Sequence, residues 1–308
     1  MTHSPPRRLI VIINPASGQR NPVLWILNQA LQPSGISWDV AITHRLGDGA
    51  RHASAAVASG ADCVAVYGGD GTVMDVAKGM VGSGIPLLIL PGGTGNLVAS
   101  ALDLPRELHR AIALVCRPSF RSKLVDIGLI GDRCFMLRAG CGVETEVLQD
   151  ASPEMKQQFG KWAYILAVAR ALQEVRTAEY EIILDGAHRI TGTGVACSVA
   201  NAGTVGLGDL RLSPTIDLED GKLDVVFLRS ADAEGILSLI GLMMGLDRSS
   251  KELPGPASVD ASHLVGHWQV STVEIRTDPV LDFQIDGDVF GKTPRIARVL
   301  PKALRVVY

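Results

Sequence analysis

No stretch of this 308-residue sequence stays apolar for the roughly 20 residues that a membrane-spanning helix needs. The most apolar segment, Ile236 to Leu246, stops well short and reads as a buried or interfacial helix. The start, Met1 to Arg8, is polar with two prolines and two arginines, and no apolar run behind it is long enough for a signal peptide. Cysteine is scarce and scattered. Cys63, Cys116, Cys134, Cys141 and Cys197 are odd in number and contain no Cys-x-x-Cys pair, which argues against a disulfide framework or a zinc site and for a reduced, cytoplasmic compartment. An excess of positive charge is missing too: the formal net charge of -3 gives no basic field for nucleic acid. There is no internal repeat or low-complexity block. What is present is a hydrophobic fraction of 47%, enough to fill a core, and a length that allows two domains.

The chain is organised around Val64-Ala65-Val66-Tyr67-Gly68-Gly69-Asp70-Gly71-Thr72-Val73-Met74-Asp75. A short apolar run of the kind buried in a parallel sheet meets a glycine turn and then a helix. Glycine lets backbone amides approach a ligand with no Cβ in the way, so Gly68, Gly69 and Gly71 aim N–H groups at phosphate. Thr72 can cap the following helix, whose N-terminus favours an anion. Asp70 fits such a cradle only when a cation or a sugar hydroxyl stands between it and the phosphate, and that points to Mg-nucleotide. Many α/β proteins carry one such turn and bind no nucleotide. A second follows here: the strand Pro86 to Leu90, then Pro91-Gly92-Gly93-Thr94-Gly95-Asn96 and a helix from Leu97. Two such turns, one βα unit apart, would lie side by side at the carboxyl edge of one parallel sheet, where open α/β folds bind ligands.

Around these turns the order is regular. Leu9 to Ile13 is a strand broken by Asn14-Pro15-Ala16-Ser17-Gly18, with a helix from about Pro22; Trp38 to Thr43 is the next strand, and Ala50 to Ser59 and Arg106 to Cys116 read as helices. From Phe120 the texture changes to hairpins: Leu124 to Ile130 with Cys134 to Ala139, then Glu181 to Leu184 with Ile190 to Ala200 around Asp185-Gly186. Leu223 to Leu228, Val273 to Arg276 and Leu281 to Ile285 continue that pattern, and Met155 to Val175 reads as a helix. The expected fold is α/β: an N-terminal doubly wound nucleotide-binding domain over 1–125, joined by a returning strand at about 296–308 (Ala303 to Val307), and a C-terminal antiparallel β-rich sandwich over 126–295. The active site would lie in the cleft between them.

Gly68-Gly69-Asp70-Gly71-Thr72 together with Pro91-Gly92-Gly93-Thr94-Gly95-Asn96 resembles the catalytic domain of the diacylglycerol kinase and sphingosine kinase superfamily, in particular its bacterial lipid kinase branch. NAD kinases share the first motif and not the second in this form. The resemblance implies nucleotide contacts from Asn14, Ser17 and Thr43, from Gly68, Gly69, Asp70, Gly71, Thr72, Val73 and Met74, and from Gly93, Thr94 and Asn96. It implies a catalytic carboxylate at Asp286, in Phe283-Gln284-Ile285-Asp286-Gly287-Asp288, that accepts the lipid hydroxyl proton; spacing alone reads this Asp-Gly as a hairpin turn. It implies a structural magnesium on Asp220 with carbonyls of Leu223 and Val225, and an aspartate, Asp126, near the metal network. ATP and Mg²⁺ are then the cofactors, a lipid alcohol such as diacylglycerol the substrate, and the protein a peripheral one at a membrane surface without a span; a homodimer is left open. Three departures stand out: Met74-Asp75 replaces Asn-Glu, Leu97 replaces an aspartate after Asn96, and Asp288 replaces a glutamate. They leave room for one alternative, a nucleotide-binding regulatory protein with weakened catalysis; the other, an NAD kinase-like enzyme for a soluble metabolite, is disfavoured by the Asn-Pro-x-Ser-Gly and Pro-Gly-Gly-Thr-Gly-Asn turns. Arg138, His263 and His267 carry no assigned role, and the two histidines fit a surface helix or loop better than a metal site.

Overall fold

The structure is a computed structural model that describes residues 1–18, 21–142, 177–204, 211–230, 232–243 and 264–308. It divides into two compact units, Met1–Ile127 with Pro301–Tyr308, and Gly128–Leu300. The helix expected over Met155 to Val175, the Gly206-Leu207-Gly208 stretch and His263 lie outside the described residues. Among the described residues, no helix is long and apolar enough to cross a membrane.

The first unit opens with β1 (Thr2–His3), followed by β2 (Arg8–Ile13), β3 (Ser37–Ile42), β4 (Cys63–Gly68) and β5 (Leu87–Pro91). β2 pairs in parallel with both β3 and β4, and β4 pairs with β5; Val306, near the end of the last strand, lies opposite Leu87. Helices α1 (Val23–Leu31), α2 (Asp48–Ala58), α3 (Asp70–Lys78), α4 (Leu97–Ala101) and α5 (Leu108–Cys116) make the connections. Leu9, Val11 and Ile13 of β2 pack with Leu27 and Leu31 of α1 and Ile112 and Val115 of α5. Because strand side chains alternate, Ile10 and Ile12 face the other way, where α2 and α3 pack on each other and against the sheet. Burial on both faces is why these strands read as unbroken apolar runs. β2, the first strand of the parallel set, ends up inside it, flanked by β3 and β4. The chain therefore leaves β2 in one direction and later passes it in the other, which opens a crevice at the carboxyl ends of β2 and β4.

The second unit carries the end of β6 (Phe120–Ile130), then β7 (Arg133–Phe135), β8 (Arg138–Cys141), β9 (Ala178–Leu184), β10 (His188–Gly194), β11 (Ala196–Ala200), β12 (Leu223–Leu228), α6 (Ala233–Met243), β13 (Val265–Val270), β14 (Thr272–Asp278), β15 (Asp282–Ile285), β16 (Asp288–Lys292) and the first part of β17 (Arg295–Val307). One antiparallel layer runs β10-β9-β14-β17 and the other β13-β12-β11-β8-β15-β16. Tyr180, Ile182 and Ile275 of the first layer meet Val225, Phe227, Trp268 and Phe283 of the second in the core. Two expected hairpin strands turn out to be split. Cys134 to Ala139 breaks into β7 and β8 at the buried Met136 and Leu137, and Ile190 to Ala200 breaks at Val195, the second piece in each case joining the other layer. A sandwich needs chains that cross between its layers, and a crossing made by buried residues leaves no gap in the apolar pattern. The last strand is also longer than expected: Arg295 to Arg298 pair with β14 before the chain reaches Val306.

Candidate active site

The two glycine turns are neighbours. β4 and β5 run in register up to Gly68 opposite Pro91, and the Gly92 N–H donates to the Gly68 carbonyl at 2.9 Å. A Cβ on Gly93 would stand 2.6 Å from the Gly69 Cα, and one on Gly92 would stand 2.9 Å from the Tyr67 ring, so these glycines let the two turns lie backbone on backbone. Gly71 is different. It is exposed, its φ is not positive, and a Cβ there would meet nothing within 4 Å. The fold does not require glycine at 71; a ligand approaching the first turn of α3 would. Gly69 is the N-cap of that helix, whose first amides have no partner within it. Thr72 is therefore not the cap: the helix starts two residues before it, and the Thr72 hydroxyl instead accepts from the Asn14 amide at 2.9 Å.

The flanking loops hold this floor in place. Asn14 follows β2 and gives its N–H to the Tyr67 carbonyl at 2.9 Å, while its Oδ1 accepts from the Ala16 N–H at 2.9 Å. A Cβ on Gly18 would stand 3.3 Å from the Thr94 methyl, so the loop over Asn14 to Gly18 borders the second glycine turn. Thr43 is buried, with its N–H and hydroxyl both directed to the Ile13 carbonyl. Asn96 closes its own turn by accepting from the Gly93 N–H at 2.9 Å and donating to the Gly93 carbonyl at 2.8 Å. Asp70 gives Oδ1 to the Val98 N–H at 2.9 Å, and its Oδ2 lies toward Gly95, 3.3 Å from where a Cβ would be. Thr94 and Gly71 are exposed here, Ser17, Gly69, Asp70 and Thr72 are half-buried, and Val73 and Met74 turn their side chains into the core. Sequence reasoning did not find Asp75. Its Oδ2 accepts from the Gly47 N–H at 3.1 Å and the Gly49 N–H at 2.8 Å, fastening the loop after β3 to α3, so the shortened acid has a structural task.

In the second unit Asp286 occupies the β15–β16 turn with φ 48. It is thus both a turn residue and a bound carboxylate. The N–H groups of Leu137 and Arg138 donate to Oδ1 at 3.2 and 2.9 Å, the Met136 N–H donates to Oδ2 at 3.3 Å, and the Asp286 N–H donates to the Arg138 carbonyl at 2.9 Å. Burial pushes the carboxyl up to about 6, against the pull of the three amides and of the Arg138 charge. Such a group is ionised at neutral pH and basic enough to take a proton. Asp288 points to solvent and pairs with Arg133 at 2.8 Å.

The remaining candidates are held by other partners. Asp126 is fully buried in β6 and accepts from the Lys302 N–H at 2.6 Å. Asp220 is exposed and accepts from the Lys222 N–H at 2.9 Å and the Gln269 amide at 3.0 Å, and the carbonyl of Val225 belongs to a strand paired on both sides. Among the described residues no group of three or more His, Cys, Asp or Glu could hold a metal, and a site of one aspartate with main-chain carbonyls is of another kind. His267 is a correction: it is buried on β13, and Nε2 lies 2.6 Å from Oδ1 of the fully buried Asp224 on β12. Register puts them diagonally across adjacent strands, because Asp224 pairs with Gln269 and Val226 with His267.

The family profile of the diacylglycerol kinase catalytic domain matches residues 8–129, and that of the YegS C-terminal NAD kinase beta sandwich-like domain matches residues 138–308. An uncharacterised Synechocystis protein, sll0036, is 31% identical over 78% of this chain, which spans about half, 53%, of that protein's length. A Pseudomonas putida protein named probable lipid kinase YegS-like is 30% identical over 90% of this chain and 87% of its own. The crystal structure of a diacylglycerol kinase from Bacillus anthracis shares the fold, with a TM-score of 0.72 over 98% of this chain and 97% of that one at 20% identity. With an α/β unit, an antiparallel sandwich and both profiles in their expected order, the chain belongs to the diacylglycerol kinase-like, YegS-like lipid kinase family.

Proposed function

We propose that this protein is an ATP-dependent, Mg²⁺-assisted lipid kinase that phosphorylates the hydroxyl of diacylglycerol or a related lipid alcohol. The observation that carries the reading is the pair of abutting glycine turns, with a glycine at 71 that nothing in the fold demands, at the start of a nine-residue helix. The residues present suit a triphosphate: amides of Gly69 to Gly71, with those of Thr94 and Gly95 in the second turn, offer donors, and the N-terminus of α3 adds favourable potential. Asp70, with Oδ1 committed to Val98, keeps Oδ2 for a cation beside the phosphates. Bound Mg-ATP supplies the phosphoryl group and the divalent charge that offsets it.

Asp286 has the properties of the base. Three amides orient its carboxylate and burial raises its basicity, so it can hold the acceptor hydroxyl and take its proton as the oxygen–phosphorus bond forms and the bond to the leaving diphosphate breaks. A lipid acceptor calls for contact with a bilayer surface, which a protein can make without a span. Labelled ATP incubated with a lipid extract tests the reading. The expected result is labelled lipid, reduced ~10²–10⁴-fold in Asp286→Asn with nucleotide affinity retained. Labelled NAD, or binding without transfer, would overturn the substrate; near-normal turnover in the variant would remove Asp286 from the mechanism.

A further inference from the structure

We propose that Arg138 forms an anion subsite beside Asp286 that holds the phosphate monoester made on the acceptor hydroxyl. Arg138 opens β8, where Ala139 and Cys141 enter the sandwich core, so its side chain stands on the opposite face of that layer. Its main chain is bolted to the base: the N–H reaches Asp286 Oδ1 and the carbonyl takes the Asp286 N–H, each at 2.9 Å. On the same face its neighbours are small, Ala200 directly across on β11 and Gly140 two residues along. Arg138 is half-buried, and among the described residues its side chain makes no hydrogen bond or ion pair, whereas Arg133 is matched to Asp288. A partly exposed arginine with no acceptor keeps its planar fork of donors available, and such a fork suits a phosphate or carboxylate.

The chemistry says which anion. This step rests on the lipid kinase reading. The oxygen that loses its proton to Asp286 is the one that gains the phosphorus, so the transferred group's oxygens end two bonds from the base's hydrogen-bond partner. Arg138 lies beside Asp286 on the neighbouring strand, joined to it by two main-chain bonds, so its side chain starts next to the base that meets the acceptor oxygen. When the bridging bond breaks, its electron pair leaves with the diphosphate, the proton is on Asp286, and the new monoester carries the negative charge. Arg138, bonded through its main chain to the base, carries a positive charge that can offset it.

The test is calorimetric titration of a short-chain lipid phosphate, dihexanoyl phosphatidic acid, into the parent, Arg138→Gln and Arg138→Lys, with a non-hydrolysable ATP analogue titrated in parallel. Arg138→Gln should weaken the lipid phosphate by about tenfold or more, Arg138→Lys by less, and neither should change nucleotide affinity. Unchanged melting temperatures exclude misfolding, and a folded lysine variant keeps the comparison valid if the glutamine variant unfolds. Lipid phosphate affinity within twofold of the parent in Arg138→Gln overturns the subsite. If that occurs while Asp286→Asn is inactive, the subsite alone fails; if Asp286→Asn turns over normally, the kinase reading and the subsite fail together.

Discussion

Replacing Gly71 by alanine separates what the fold needs from what a nucleotide needs. The residue lies in the first turn of α3 with a φ any L-residue accepts, and the added methyl would project into space with no protein atom within 4 Å. Alanine at such a position restricts the unfolded chain and suits a helix, so stability should rise by about 0.4–1 kcal/mol. The ligand-free protein should melt a few degrees higher. On the proposed reading, the same methyl would stand where phosphate oxygens approach the helix amides. Losing one or two charge-assisted hydrogen bonds of about 1.5–3 kcal/mol each should weaken an ATP analogue at least tenfold by calorimetry. Gly93→Ala is the contrast, because its Cβ would stand 2.6 Å from the Gly69 backbone and must push the two turns apart. That variant should lose stability and nucleotide together. Parent-like affinity in Gly71→Ala would mean that phosphate does not come to this helix start, and the nucleotide site would have to be sought elsewhere.

Turnover should fall as pH drops through about 6, because Asp286 must be unprotonated to act and its carboxyl is raised to that range; a profile flat down to pH 5 would show that its ionisation does not limit the rate. Asp75→Ala strips an acceptor from the Gly47 and Gly49 amides, and chemical denaturation should show a loss of about 1–3 kcal/mol. For the buried pair, Asp224→Leu or His267→Leu alone should cost about 3–5 kcal/mol in the same assay, and the double variant markedly less than the sum, since each single change strands the other group.

The glycine turns could be read from the sequence because each part of the signal is local: an apolar run, a cluster of glycines, a helix start. Their adjacency followed from the right-handed crossover rule, and the Gly92 to Gly68 bond realises it. What escaped the sequence depends on pairing across distance. Asp75 looks like one acid among others until α3 brings it to the Gly47–Gly49 loop, and His267 looks exposed until the β12–β13 register sets it diagonal to Asp224. The split of Ile190 to Ala200 at Val195 was invisible because the crossing residue is itself apolar and buried. Thr72 was misjudged for a subtler reason. A threonine near a helix start is usually a cap, but Asn14, 58 positions earlier, claims its hydroxyl.

β17 gives its early residues to the sandwich and its last ones to the parallel layer, where Val306 lies beside Leu87. During synthesis, the unit that begins first can be finished only after residue 307 has left the ribosome. Until then β5 presents an uncovered rim to solvent or to a chaperone. No single cut in the chain would release both units whole, because Pro301–Tyr308 belongs with residues made some two hundred positions earlier. A workable dissection of this protein would have to graft that closing strand onto the amino-terminal piece.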